Sequence, residues 1–304
     1  MVFWFQSTDA QREAMFREIF AAELPHVPIE TEVTDPDSVR YMFSWQPPAD
    51  LSVYRNLEVL FAVSAGVDQF AHLPAHVPLI RMVDPSNLRR VAEYIVMSCF
   101  ACARDLPRYV AQQQAGDWQA RTPAMAADTT VGILGLGEIG QLSAELLRPL
   151  GFKVAGWSRS QKTVEGVTCL SGPEGLTELL AISDVVVCLL PLTEATRGLM
   201  DASFFAAMKP GAGLVHAGRG AQCDFAALKA ALESGHVANA VVDVFDVEPL
   251  PEGHMAWTLP NCIVTPHVAG RLDPRQGAIN IVTNIRRHEA GEPLLWQVDR
   301  AAGY

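Results

Sequence analysis

The chain has 304 residues, enough for two domains with a core each. Hydrophobic residues make up 49% and charged residues 19%, a globular composition rather than a disordered one. A net charge of −11 argues against nucleic acid as a partner, and the longest apolar runs, "VLFAVSAGV" and "DVVVCLLPL", are far too short to span a membrane.

Taken in chain order, "VFWFQ" reads as a first strand. No basic stretch precedes it, so no signal peptide is expected and a cytoplasmic protein is. "AQREAMFREIFAAEL" follows as an amphipathic helix, and "YMFSW", "LEVLFAV" and "PLIRMV" as further strands of a smaller α/β domain. A long helix over "SNLRRVAEYIVMSCFACARDL" joins this part to the next. It carries Cys99 and Cys102, a CxxC that helical spacing puts on one face, where packing is a stronger reading than redox or metal chemistry. No metal site is expected. The six cysteines are too dispersed for a disulfide framework.

From Val131 to Val268 valine-rich strands alternate with helical patterns. "TTVGIL", "KVAGW", "SDVVVCLL", "AGLVHA", "ANAVVDV" and "NCIVTPHV" are continuous apolar runs without alternation, as buried parallel strands are. Between them lie the helical stretches "EIGQLSAELLRPL", "EGLTELLAI", "DASFFAAMK" and "DFAALKAALESG". This alternation predicts a Rossmann-type doubly wound parallel sheet over residues 96–274. The helix "PRQGAINIVTNIRRHEAG" then folds back. A discontinuous, flavodoxin-like α/β substrate-binding (lid) domain is expected over 1–95 and 275–304.

The strongest local signal is "GLGEIG", which follows a predicted strand and opens a predicted helix. Gly135 makes the tight turn, Gly137 lets the backbone approach a pyrophosphate, and Gly140 allows close helix packing. Together with Leu136, Glu138 and Ile139 they form a dinucleotide-binding turn. About 20 positions on, such sheets usually carry an acidic residue for the ribose 2′-OH of NAD. Here "GWSRS" places Ser158, Arg159 and Ser160 there instead. A carboxylate would repel a 2′-phosphate, whereas serine and a forked guanidinium accept it. NADP(H) is therefore the preferred cofactor and NAD(H) the alternative. The plain reading of Arg159 is a solvated loop residue.

"HAGRG", "DVFDVEPLP" and "TPHVAG" fall at later strand ends, bringing Arg219, Glu248 and His267. Singly, each has a structural reading: a surface charge, a turn residue before proline, a satisfied buried histidine. Three chemical types at successive strand ends of a dinucleotide-binding sheet are harder to dismiss.

This ordered series, nearly end to end, resembles the D-isomer-specific 2-hydroxyacid dehydrogenase family, and within it the NADP-dependent glyoxylate/hydroxypyruvate reductases. "SAGVD" at Ser64 to Asp68, "WSRS" and the closing "QVDRAAGY" are similar to that subgroup. The resemblance implies reduction of a small 2-oxo acid: glyoxylate to glycolate, hydroxypyruvate to D-glycerate. It implies that Arg219 binds the carboxylate and polarises the ketone, and that His267, assisted by Glu248, donates the proton. It further implies that Ala65 and Gly66 offer backbone N–H groups to the substrate, with Trp45 as a pocket wall or, equally, a core residue. Leu190, Pro191, Ala217, Gly218, Asp243 and Gly270 are implied at the cofactor, with a homodimer and closure of the lid on substrate. Arg271 and Arg275 are weighed as a second carboxylate ligand, with a surface role favoured. Another D-2-hydroxy acid, such as D-lactate or a phosphorylated one, stays open as substrate, as does a non-catalytic corepressor-like sensor of NAD(P). One departure stands out. The family usually has Asn where this chain has His216, read as a strand-interior residue, a difference that bears on the turn holding Arg219 and on substrate preference. His72, His76 and His254 are expected at the surface.

Overall fold

The computed structural model describes residues 1–299 apart from 8, 64–65, 68–69, 71–72, 83–84, 123 and 271–272. The chain opens with β1 (Val2–Phe5), α1 (Ala10–Glu23), β2 (Ile29–Glu30), β3 (Val39–Ser44), β4 (Val59–Ala62) and β5 (Leu79–Ile80). Helices α2 (Pro85–Ala103) and α3 (Leu106–Ala115) lead to β6 (Thr130–Leu134), α4 (Glu138–Leu147), β7 (Lys153–Ser158) and β8 (Thr168–Ser171). Then come α5 (Gly172–Ile182), β9 (Val185–Cys188), α6 (Ala202–Ala207) and β10 (Ala212–His216). The series closes with α7 (Phe225–Glu233), β11 (Val237–Val242), β12 (Cys262–Val264) and α8 (Pro274–Glu289).

Two compact units result, Met1–Asn87 with Leu272–Tyr304, and Leu88–Arg271. The sequence predicts crossings at 95/96 and 274/275; both fall a few residues earlier, the first at 87/88 near the start of α2 and the second at 271/272. In the first unit the strands are parallel in the order β2-β1-β3-β4-β5, the flavodoxin-like arrangement. Helix α1 starts where the Asp9 carboxylate accepts the Arg12 N–H at 3.0 Å, an N-cap. Its buried residues Phe16, Ile19 and Phe20 recur at helical spacing. They meet Phe3, Phe5 and Phe43 from the sheet, with ring centroids 4.7 Å apart for Phe3–Phe20 and 4.9 Å for Phe5–Phe16. Ala278, Ile281, Val282 and Ile285 of α8 complete this same core.

In the second unit all seven strands are parallel in the order β12-β11-β10-β9-β6-β7-β8. This is a Rossmann-type doubly wound sheet, whose order reverses between β6 and β9. Both faces are covered, which is why its strands are runs of valine. Val131, Ile133, Val187, Val215 and Val241 pack with Ile95, Cys99 and Cys102 of α2 and Leu147 of α4. On the opposite face Leu134, Val186, Leu214 and Val242 pack with Leu179, Phe204 and Leu228. Cys99 and Cys102 are thus buried, free thiols in a packing role.

Three elements escaped sequence reading. Strand β2 is only two residues long, and edge strand β8 has no valine run to announce it. Helix α3 is separate because Asp105, at φ +58°, breaks the long helix expected through Leu106. His254, expected at the surface, instead packs edge-on against Phe225 and Phe245 and accepts the Ala256 N–H on Nδ1. Among the described residues, no helix is long and apolar enough to cross a membrane.

Candidate active site

The site residues of the second unit gather at the C-terminal edge of its sheet. Strand β6 runs directly into the glycine-rich turn. Gly135 takes φ +109°, a conformation open to glycine, and its N–H donates to the Trp157 carbonyl of β7 at 2.9 Å. A Cβ on Gly140 would stand 2.0 Å from the Gly135 carbonyl oxygen, so only glycine lets α4 close against the turn. Gly137 is different: a Cβ there would meet nothing within 4 Å. Space beside the N-terminus of a ten-residue helix suits a dinucleotide's pyrophosphate. Glu138 and Ile139 form the first turn of α4, and the buried Leu136 side chain lies over Gly156, where a Cβ would come within 2.4 Å of it. Leu190 and Pro191 follow β9 across the switch point; the Leu189 N–H donates to Leu134 O at 2.9 Å.

Strand β7 ends at Ser158, which is buried and donates its hydroxyl to the Ser160 carbonyl at 2.8 Å. This ties the loop back and leaves Arg159 and Ser160 exposed. Arg159 has no ion pair among the described residues. Lys162, absent from the sequence reading, reaches back to the Leu136 carbonyl with its ammonium at 2.7 Å. A cation three residues after Arg159 was the available signal. The fit to a phosphate-bearing nicotinamide dinucleotide is therefore good: open backbone at Gly137, a helix N-terminus, Lys162 against the turn and Arg159 exposed just past the adjacent strand β7.

Arg219 sits just past β10, between Gly218 and Gly220, with Ala217 before them. Its Nη1 donates to the Gly218 carbonyl at 2.7 Å. A Cβ on Gly220 would lie 1.8 Å from the Phe245 carbonyl carbon, so the turn presses against the segment leading to Glu248. Glu248 Oε1 accepts the Phe245 N–H at 2.9 Å, and Oε2 lies 2.6 Å from His267 Nδ1. Burial alone would raise the Glu248 carboxyl. The hydrogen bonds from His267 and the Phe245 N–H, with the charges of His267 and Arg219, outweigh it and hold the carboxyl below its ordinary value.

His267 takes φ +50°, a left-handed conformation unusual for histidine. Its N–H donates to the carbonyls of Asp243 at 2.9 Å and Thr265 at 3.0 Å. Asp243, fully buried, supports this turn: Oδ1 accepts the Thr265 hydroxyl at 2.5 Å and the Val268 N–H at 2.9 Å, and Oδ2 the Ala269 N–H at 2.9 Å. The Tyr94 hydroxyl of α2 stands 2.7 Å from Thr265 Oγ1. Asp243 thus holds the His267 turn, a role the sequence did not announce. Gly270 follows the same turn. His216, the last residue of β10, is fully buried as expected, and burial pushes it down to about 4.

In the first unit, Trp45 directly follows β3 and is 45% exposed, which sets aside its core reading; Gly66 is half-buried. Ala65, Arg271, His72 and the final residues 300–304 lie outside the described residues. Arg275 is exposed in the first turn of α8.

A doubly wound sheet with a dinucleotide turn at β6 and an arginine and a histidine–carboxylate pair at later strand ends defines a nicotinamide-dependent oxidoreductase. The description "D-isomer specific 2-hydroxyacid dehydrogenase, NAD binding domain" matches residues 96–269. The chain is 36% identical over 279 residues to glyoxylate/hydroxypyruvate reductase A of Yersinia enterocolitica, covering 89% of each. A D-isomer specific 2-hydroxyacid dehydrogenase of Xanthobacter autotrophicus, solved with NADPH and MES, superposes with a TM-score of 0.87 at 41% identity. That match covers 100% of this chain and 99% of the other. The NADPH-dependent glyoxylate/hydroxypyruvate reductase of Sinorhizobium meliloti, with NADP and sulfate, gives 0.88 at 35% identity over 100% and 99%. This chain belongs to the D-isomer-specific 2-hydroxyacid dehydrogenase family, whose members are oxidoreductases acting on CH–OH groups with a nicotinamide cofactor.

Proposed function

We propose that the chain is an NADPH-dependent reductase of small 2-oxo acids, with glyoxylate and hydroxypyruvate as its substrates. The observation that carries this is the His267–Glu248 pair, 2.6 Å apart at the C-terminal edge of a dinucleotide-binding sheet. The identities to glyoxylate/hydroxypyruvate reductases support the substrate class. When bound, the reduced dinucleotide supplies a hydride to C2 of the oxo acid. Arg219 pairs with the substrate carboxylate and draws electron density toward the ketone oxygen, work suited to a guanidinium fork. As C2 is reduced, that oxygen takes on negative charge and needs a proton. Glu248 holds His267 at Nδ1, so Nε2 is the nitrogen that delivers it, and the carboxylate balances the imidazolium until then. In the oxidative direction the neutral imidazole takes the proton back. Arg159, Ser160 and Lys162 take the 2′-phosphate, while Ser158, whose hydroxyl is spent on the Ser160 carbonyl, holds the loop that presents them. A homodimer is the proposed assembly.

The test is His267→Ala. Turnover of glyoxylate with NADPH is expected to fall by about 100-fold or more, while NADPH still binds as in the parent. A variant that reduces glyoxylate at near the parent rate removes His267 as the acid.

A further inference from the structure

Arg219 needs more than a guanidinium; it needs a main chain that does not move. We propose that His216 and Gln222 are positioning residues for Arg219, gripping its backbone from both sides so that the guanidinium keeps its aim. This rests on the reading of Arg219 as the substrate-binding arginine.

The grip is built from four hydrogen bonds. The Arg219 N–H donates to Gln222 Oε1 at 2.8 Å. The Arg219 carbonyl accepts from the Gln222 N–H at 3.0 Å and from His216 Nε2 at 3.0 Å, which fills both its lone pairs. The guanidinium Nη1 bond to Gly218 O then fixes the side chain to the held backbone. Gln222 is itself anchored: it is fully buried, and its Nε2 donates to the carbonyls of Leu190 and Pro191, each at 3.1 Å. The Arg219 turn is thereby bolted to the loop after β9. Gly218 permits the arrangement, since a Cβ there would stand 2.4 Å from Gln222 Oε1.

His216 shows a polar cost that packing alone does not explain. Its ring lies fully buried at the end of β10, in register between Cys188 and Val242 of the flanking strands. A carbonyl can only accept, so Nε2 carries the hydrogen and the neutral ring leaves Nδ1 as a bare acceptor. Nδ1 has no partner. A leucine would fill such a site without an unsatisfied acceptor, whose burial is costly. What the ring supplies in exchange is the bond to the Arg219 carbonyl. An asparagine at this position has a side-chain N–H to offer the same oxygen.

The experiment compares His216→Leu, His216→Asn, Gln222→Met and Arg219→Ala as full chains. Each is assayed with glyoxylate varied at saturating NADPH, with NADPH affinity and the urea midpoint measured alongside. His216→Leu and Gln222→Met are expected to raise the KM for glyoxylate about tenfold or more, and in His216→Leu, which does not touch the loop after β9, NADPH affinity is expected to stay within about twofold of the parent. His216→Asn is expected to restore KM to near the parent value. The ring nitrogens of the parent, read by NMR at neutral pH, are expected to report a neutral Nε2–H tautomer, whether or not a variant folds. Parent-like KM in His216→Leu and Gln222→Met, with Arg219→Ala impaired, overturns the grip and leaves the reading of Arg219 standing. Parent-like kinetics in Arg219→Ala overturn that reading and the grip with it. An Nδ1–H tautomer or a cationic ring in the parent also overturns the assignment.

Discussion

Arg159, just past β7, and His216, the last residue of β10, show how differently two cationic residue types are used. Arg159 is exposed and without an ion pair among the described residues, so its charge is available to a ligand. Its loss is expected to weaken NADPH binding while sparing NADH. Arg159→Ala should shift the ratio of kcat/KM for NADPH over NADH by about tenfold or more, the scale of one charge-assisted contact; an unchanged ratio would remove Arg159 from the phosphate site. His216 is the opposite case, buried and held neutral, with its folded value near 4 against an ordinary 6.5. The unfolded chain therefore binds a proton that the folded chain refuses between those values. Stability from this residue is full above pH 6.5, drains as the pH falls toward 4, and is level below that. The total is roughly 3 kcal/mol. Urea midpoints across this range should fall less steeply with acid in His216→Asn than in the parent. Parallel curves would show that the ring is not held neutral.

Among the elements, the β6 turn into α4 depends most on absent atoms. In Gly140→Ala the new methyl would meet the Gly135 carbonyl at 2.0 Å, against backbone that cannot step aside. Overpacking of this kind costs about 1–3 kcal/mol. The urea midpoint is expected to drop accordingly and NADPH affinity to fall with it, and a variant matching the parent in both would contradict the close packing. This turn was legible in the sequence because its glycine spacing states a backbone geometry outright. So were the buried strands β6, β9, β10 and β11, whose valine runs leave few alternatives. Strand β8 and the α2–α3 break were not, since an edge strand can be polar and a single left-handed Asp105 leaves no periodic trace. The same contrast holds within the site. Arg219, Glu248 and His267 carry recognisable motifs, whereas the bonds of Gln222 to Leu190 and Pro191 and of Tyr94 to Thr265 are tertiary contacts that spacing does not encode. Lys162 lies between. Its charge was visible, but not its reach to Leu136.

On the scale of the whole molecule, each unit has its own sheet and its own apolar clusters, and the chain passes from one to the other within α2. The alternation of strands and helices made both sheets readable. The return of α8 was readable as well, although its packing partners were not. Those partners are the phenylalanines of β1, β3 and β4, and the core of the first unit stays incomplete until Ala278, Ile281 and Ile285 arrive. On a ribosome this imposes a waiting time. About 190 residues separate β5 from α8, which at typical elongation rates is on the order of 10–40 s. During that interval the aromatic face of the nascent first unit has no helix α8 to cover it, while all the strands of the second unit emerge in succession. The order of synthesis therefore makes the nucleotide-binding half the earlier to mature and leaves the other half as the client a chaperone would meet.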